Sequence, residues 1–305
     1  MSVASIIESL MAESQYLPAA EVTVTVEPLT NEERKEVLAF LSERPLHTIG
    51  LAGFIRDNNL ESPYNRGTFY GCRNSEGRLE GVALVGHATL IEARTDRAVR
   101  EFALTAHTAI NTHLIMGEQD RMEQFWNFYA DEGQDMRLMC REFLFELKRA
   151  VETRDSISEL RLATSADLES ILPVHAQLAF NVSGVNPLET DPEGFRARCL
   201  RRIEAGRVWV LIIEGKLIFK ADIQADTPDV IYLEGIYVSS QDRRKGIGRR
   251  CLSQLTSDLL TRTKSVCVFV DESNVRAQSF YRLCNFKLRS AYHTIFLHRE
   301  PSLAN

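Results

Sequence analysis

Short runs of alternating apolar and polar residues recur along this chain, separated by segments whose apolar residues return every three or four positions. Val22, Thr23, Val24, Thr25 and Val26 alternate strictly and predict a strand. Thr30 offers an N-cap, and Val37, Leu38, Phe40 and Leu41 then supply one helical face to about residue 43. Residues 51–59 read as another short helix. Strands are expected at 68–72 and 79–85, joined by a turn over 74–77, with a third at 88–93. A helix at 98–108, a strand at 111–116, a helix at 119–132 and a strand at 136–147 complete this first run. Met122, Phe125, Trp126 and Tyr129 stand at helical spacing and are read as core packing rather than a cofactor contact.

A polar, charged stretch over 149–158 interrupts the pattern, which then starts afresh. A strand at 160–163 leads to Thr164, the expected cap of a helix reaching about residue 181. A loop over 183–192 precedes a helix over 192–205 with Pro192 early in it. Strands 207–213 and 216–225 read as a hairpin over Glu214 and Gly215, followed by a strand at 230–238, a helix at 246–263 and a strand at 266–270. A helix at 274–284 and final strands from 286 to 297 end the pattern. For 305 residues, two cores of about 150 residues are the natural division. The boundaries read as an arm at 1–20, a first α/β domain at 21–150 and a second at 158–300.

Composition narrows the class. With 44% apolar and 26% charged residues the chain suits a globular protein. No apolar run approaches the roughly 18 residues a bilayer requires, and the first residues lack the basic and apolar regions of a secretory signal, so no membrane partner is expected. Cysteines at 72, 140, 199, 251, 267 and 284 follow no C-x-x-C spacing and read as reduced thiols of a cytoplasmic protein. No Cys/His cluster has metal spacing, so no metal is expected. A net charge of −6 argues against nucleic acid as partner.

The chemistry concentrates after the strand at 230–238. A polar turn follows it, and Gly246 and Gly248 open a helical pattern. The free N–H groups of a helix's first turn and its dipole favour an anion, and glycine lets backbone approach closely. Arg243, Arg244, Lys245, Arg249 and Arg250 face a single acid, Asp242, in this stretch, which suits a small anionic ligand. Cys251 breaks the dinucleotide spacing G-x-G-x-x-G, and no G-K-[ST] of a P-loop follows. The order Arg243, Gly246, Gly248 resembles the pyrophosphate loop of the GNAT superfamily of acetyl-CoA-dependent acyltransferases. Asn274, Ala277, Phe280 and Tyr281, ending at Asn285 and Phe286, resemble that superfamily's later helix, with Asn285 where glycine is usual. Asn is the next best left-handed residue at a helix C-terminus, so that departure leaves the site intact. The first run of elements has the same order without the glycine loop. The whole is similar to bacterial tandem-GNAT proteins with a degenerate first domain: α/β (α+β), two mixed, mostly antiparallel sheets flanked by helices.

The resemblance implies N-acetylation of a primary amine, small molecule or peptide, by acetyl-CoA in a direct ternary complex, without an acyl-enzyme. Backbone groups of Ile236, Tyr237 and Val238 would pair with the pantetheine arm, and amides of Arg244, Lys245, Gly246, Ile247, Gly248 and Arg249, with Arg243, would cradle the pyrophosphate. Asn274 would reach the pantetheine from the opposite side, and Tyr281 matches the general acid that protonates the thiolate; otherwise it is an interfacial aromatic. Glu234, placed by alternation on the same face as Ile236 and Val238, has three readings: general base, ligand of the substrate's ammonium, or structural partner of an arginine. Asn186, Glu189 and Asp191 border the expected acceptor side but read more simply as solvated loop residues, and His175 and His293 as ordinary histidines rather than accessory bases. The first domain would shape the acceptor site or a homodimer. The rival reading is a coenzyme A sensor or scaffold without turnover.

Overall fold

The computed structural model describes residues 24–110, 112–151 and 156–298; the arm expected over 1–20 lies outside them. The first half runs β1 (Val24–Pro28), α1 (Arg34–Ser42), α2 (Ile49–Asn58), β2 (Gly67–Asn74), β3 (Leu79–Gly86), β4 (Ala88–Ala93), α3 (Asp96–Ala106), β5 (Leu114–Glu118), α4 (Gln119–Tyr129) and β6 (Met136–Leu147). The second runs β7 (Leu160–Leu162), α5 (Leu168–Ser183), α6 (Pro187–Thr190), α7 (Pro192–Glu204), β8 (Val208–Ile213), β9 (Lys216–Asp226), β10 (Val230–Val238), α8 (Ile247–Leu259), β11 (Ser265–Asp271), α9 (Val275–Leu283) and β12 (Lys287–Leu297). Three expectations shift most. The end of the chain's pattern is one bulged strand, β12, rather than several; α8 stops at Leu259; and the 183–192 loop contains the single turn α6, capped by Asn186.

The strands form one mixed sheet in the order β1-β2-β3-β4-β5-β12-β6-β11-β10-β9-β8-β7. The two runs of strands join by exchange: β6 of the first half lies between β11 and β12, and β12 of the second half lies between β5 and β6. β6 pairs antiparallel with β11 from Leu147↔Val266 to Glu142↔Asp271, and with β12 from Glu146↔Lys287 to Met136↔Leu297. Its residues Leu144, Phe145, Glu146 and Leu147 are buried in succession, as a strand covered on both faces requires.

Helices cover both faces. α8 and α9 bury Leu252, Leu255 and Tyr281 against Phe145, Val268 and Leu233. α5 and α7 pack Ile171, Cys199 and Ile203 over Val208 and Val210. In the first half, Phe102, Met122 and Phe125 of α3 and α4 cover Ala83, Ile115 and Ile295. α2 reaches across to the second half, where Ile49 joins Ala225, Val230 and Tyr292 in one cluster with Leu144 of β6. A Cβ on Gly53 would stand 2.5 Å from the Ala225 Cβ, so this helix approaches β9 more closely than any larger residue permits. Arg207 pairs with Asp57 at 2.6 Å beside that contact. Among the described residues no helix is long and apolar enough to cross a membrane.

Candidate active site

β10 is held differently along its two edges. Its parallel pairing with β11 covers Val230↔Ser265, Ile231↔Val266 and Tyr232↔Cys267 and stops there, so the two strands splay beyond Tyr232. Along β9, the register advances three residues on β10, from Glu234 to Tyr237, for two on β9, from Asp222 to Lys220. This is a bulge, and Gly235 makes it with φ +59°. A bulge takes its extra residue out of the ladder, so backbone groups around Gly235 and Ile236 are freed beside the open splay. It also changes which face side chains point to. Ile236 and Val238 pack on the cluster that holds Leu233, whereas Tyr232 and Glu234 line a cavity on the opposite face. The expectation that Glu234 shares a face with Ile236 and Val238 is therefore corrected: the inserted residue breaks the two-residue period.

Beyond Val238 the chain turns through 239–246 into α8. Arg244 and Gly246 both take left-handed backbone, at φ +63° and +78°, and Gly246 is the N-cap, with no side chain capping the helix. Its first N–H groups therefore have no side-chain cap, at a helix start that sits against the end of β10. A Cβ on Gly248 would lie 2.7 Å from Cγ2 of Val238, so glycine lets this helix turn sit against the strand end. Arg243 Nε donates to the Val238 carbonyl at 3.1 Å, and Lys245 pairs with Asp242 at 2.9 Å. Arg244, Lys245, Arg249 and Arg250 are exposed around the turn.

Tyr281 on α9 is buried against the rings of Phe145, Phe280 and Phe286, at centroid distances of 6.5, 5.4 and 5.6 Å. Burial, with the Cys284 thiol adding to it, pushes its phenol well above the ordinary value, so it holds its proton. Asn274 is the N-cap of α9, its Oδ1 accepting from the Ala277 N–H at 3.0 Å, which leaves its amide nitrogen as the group able to serve a ligand.

Residues 177–286 match the model of the acetyltransferase (GNAT) family. The second half carries a GNAT domain. No curated protein matches the chain. Its fold is similar to that of an acetyltransferase of the GNAT family from Colwellia psychrerythraea (12% identity, TM-score 0.58, covering 90% of this chain and 100% of that one). It is also similar to a Drosophila protein (13%, TM-score 0.66, 90% and 98%). A tandem GNAT protein from the clavulanic acid biosynthesis pathway shares the fold over 92% of this chain and all of its own, at 12% identity and a TM-score of 0.55. Members of the family are acyltransferases, and the fold shared with the tandem GNAT protein extends over both halves of the sheet.

Within the GNAT domain, a buried polar network lies under the β10 bulge. Lys220 and Asp222 are both fully buried, with Lys220 Nζ donating to Asp222 Oδ2 at 2.6 Å and to the Gly235 carbonyl at 3.4 Å. His175 Nε2 stands 3.2 Å from the same Asp222 oxygen, and its Nδ1 3.3 Å from Cys199 Sγ. Arg202 of α7 pairs with Glu234 at 3.0 Å, bonds Gln224 at 2.5 Å and approaches Asp222 at 3.6 Å. Glu234 thus has the arginine partner that was one of its three readings. Lys220, Asp222 and Arg202 carry no site motif; the signal open to inspection was a Lys and an Asp two apart on an otherwise apolar strand.

Two of the candidate acceptor-side residues are capping groups. Asn186 Oδ1 accepts from Leu188 N, and Asp191 accepts from Gly194 N while pairing with Arg198 at 2.8 Å. Glu189 accepts from Asn186, and His293 is buried in β12. A cavity of 950 Å³ opens between the GNAT domain and the first half, under α2 and α7 and over the strands from β4 to β10. Among the described residues, no group of His, Cys, Asp and Glu is arranged to hold a metal.

Proposed function

We propose that the protein is an N-acetyltransferase that moves the acetyl group of acetyl-CoA to a primary amine in a direct ternary complex. The observation that carries this reading is a coincidence of three features at one place. The β10–β11 splay, the Gly235 bulge and the uncapped N-terminus of α8 line up along one path. Pantetheine would add to the free edge of β10 at Ile236, Tyr237 and Val238, satisfying backbone groups as a further strand does. The pyrophosphate would take N–H groups between Arg244 and Arg249 at the helix start, with the surrounding basic side chains. Freed N–H groups at the bulge would stabilise the charge growing on the thioester oxygen. Tyr281, kept protonated, would supply the proton for the departing thiolate. Binding both partners side by side gives the orientation that makes direct attack efficient. Six free cysteines suit the reducing cytoplasm, where we place the reaction.

One cofactor site per chain is expected. In the first half, the helix that follows β4 has its N-terminus occupied: Thr95 caps it by accepting from Ala98 N, and Asp96 stands in its first turn. An anion there would meet a filled cap and a like charge. Calorimetric titration of acetyl-CoA tests the reading, with an expected stoichiometry of one, abolished by Gly248→Glu. A stoichiometry of two would give the first half a site of its own, and absence of binding would end the acetyltransferase reading.

A further inference from the structure

The floor of the inter-half cavity crosses the exchanged strands. Tyr232 and Glu234 of β10, Phe269 of β11, Glu142 of β6, and Tyr292 and Thr294 of β12 line it. Glu234 and Phe269 stand on the two strands that part beyond Tyr232↔Cys267, so the cavity adjoins the splay that the thioester would enter. Glu142 lies across β11 from Glu234, opposite Asp271 on one side and Tyr292 on the other.

The carboxylates of this cavity are not equivalent. Arg44 pairs with both Glu92 and Glu118, Arg207 with Asp57, and Arg202 with Glu234. Glu142 accepts only a neutral donor, the Thr294 hydroxyl at 2.5 Å, and among the described residues no cation bonds to it. Beside it the rings of Tyr232, Phe269 and Tyr292 form an edge-to-face ladder, with centroids 5.2 and 4.8 Å apart. A carboxylate lacking a cation, set among aromatic rings at the end of a cavity, is the environment that attracts an ammonium group.

We infer that the acceptor enters this cavity as an ammonium and that Glu142, supplied by the first half, takes its proton. The inference rests on the acetyltransferase reading above. The carboxylate accepts one proton from R–NH3+, and the free amine's lone pair then attacks the thioester carbonyl carbon. The C–N bond forms, the C–S bond breaks, and the sulfur leaves with the electron pair and takes the Tyr281 proton. The second proton lost by the nitrogen restores Tyr281, and Glu142 returns its proton to solvent. Glu234, bonded to Arg202, positions the ammonium rather than taking its proton.

The surroundings of Glu142 suit a base. Burial raises its pKa against the Thr294 hydrogen bond, and Asp271 and Glu234 raise it further. The phenols of Tyr232 and Tyr292 are pushed well above their ordinary value and stay neutral. Cys140, on the same strand, is likewise raised and neutral. Beyond Tyr292, His47 bonds its hydroxyl and pairs with Glu118, each at 3.0 Å. Activity that needs ionised Glu142 is present above its raised pKa and lost as pH falls through it, so the acid limb lies above the ordinary carboxylate range.

The test compares wild-type protein with Glu142→Gln, which can keep the Thr294 hydrogen bond. Spermidine, phenethylamine and lysine methyl ester serve as probe acceptors, with thiol release followed across pH and acetyl-CoA binding followed by calorimetry. The expected result is unchanged acetyl-CoA binding, a loss of about 100-fold in kcat with the best probe, and disappearance of the acid limb. Glu142→Asp, should the glutamine variant fail to fold, is expected to keep an acid limb at a shifted pH. An unchanged rate and pH profile in the folded variant would overturn the assignment while leaving the acetyltransferase intact. Acetyl-CoA binding by wild type with no transfer to any probe would instead remove the reading on which the assignment rests.

Discussion

Gly246 and Gly248 sit two residues apart and are glycines for different reasons. Gly246 needs left-handed backbone in open space, whereas Gly248 needs room against Val238. Alanine at Gly246 should cost about 1 kcal/mol of stability from backbone strain, with a modest loss of cofactor affinity. Alanine at Gly248 meets Val238 and pushes α8 off the strand end, which should cost about 1–3 kcal/mol through overpacking and weaken acetyl-CoA binding about tenfold, an estimate following from one displaced contact at the proposed anion site. Titration calorimetry beside thermal unfolding separates the two. Tyr281→Phe removes one hydroxyl and keeps the ring packing on Phe145 and Phe286. It should lower kcat about 100-fold or more if the phenol is the acid, leaving acetyl-CoA affinity unchanged. Full turnover in that variant would remove Tyr281 from the mechanism. The glycine spacing and Tyr281 were legible in the sequence because each belongs to a contiguous motif.

β10 shows what an element adds to its residues. Strict alternation predicts one face for Glu234, Ile236 and Val238, and the Gly235 bulge sends Glu234 to the other. The sequence carried a glycine there, but a glycine in a strand marks a bulge only when the partner's register is known. The partner, β9, holds Lys220 and Asp222 directly beneath, where a Cβ on Gly235 would come within 3.0 Å of both. Burial alone would raise the Asp222 carboxyl, but Lys220, His175 and Arg202 outweigh it and hold it well below its ordinary value. A carboxyl whose folded pKa is depressed stabilises the fold fully above its unfolded value, near 4, and that contribution is lost as pH falls toward the folded value. Asp222→Ala leaves the Lys220 ammonium buried without a counter-charge and should destabilise by about 3–5 kcal/mol. Replacing the pair together by Lys220→Met and Asp222→Leu should recover much of that loss. Denaturant unfolding of the single and double variants at pH 7 is the measurement.

At the scale of the whole molecule, the exchange of β6 and β12 makes each half depend on the other. Residues 151–305 alone would lack β6, leaving facing edges on β11 and β12 and uncovering Tyr281 where Phe145 packs. That fragment should aggregate or unfold when expressed by itself. Co-expression with residues 1–150 should restore a stable protein, read by size-exclusion chromatography and acetyl-CoA titration. A folded, fully active fragment would show that the exchanged strand is dispensable. A wedge at the other contact, Gly53→Leu, should separate α2 from Ala225 and lower stability by about 1–3 kcal/mol through overpacking.

The sequence by itself determined the succession of strands and helices, the repeat of that succession in two halves, and the glycine turn that opens α8. These depend on local periodicity and on residues adjacent in the chain, where neighbours settle the conformation. Only the tertiary structure decided which strands lie side by side, because every apolar strand of a buried sheet looks equally able to pair with every other. It therefore decided that β6 and β12 cross between the halves, that Glu234 meets Arg202, and that Glu142 reaches a cavity walled by both halves. Glu142 and Glu234 are 92 residues apart in the chain, and only the closing of the sheet across that separation brings their charges to one site.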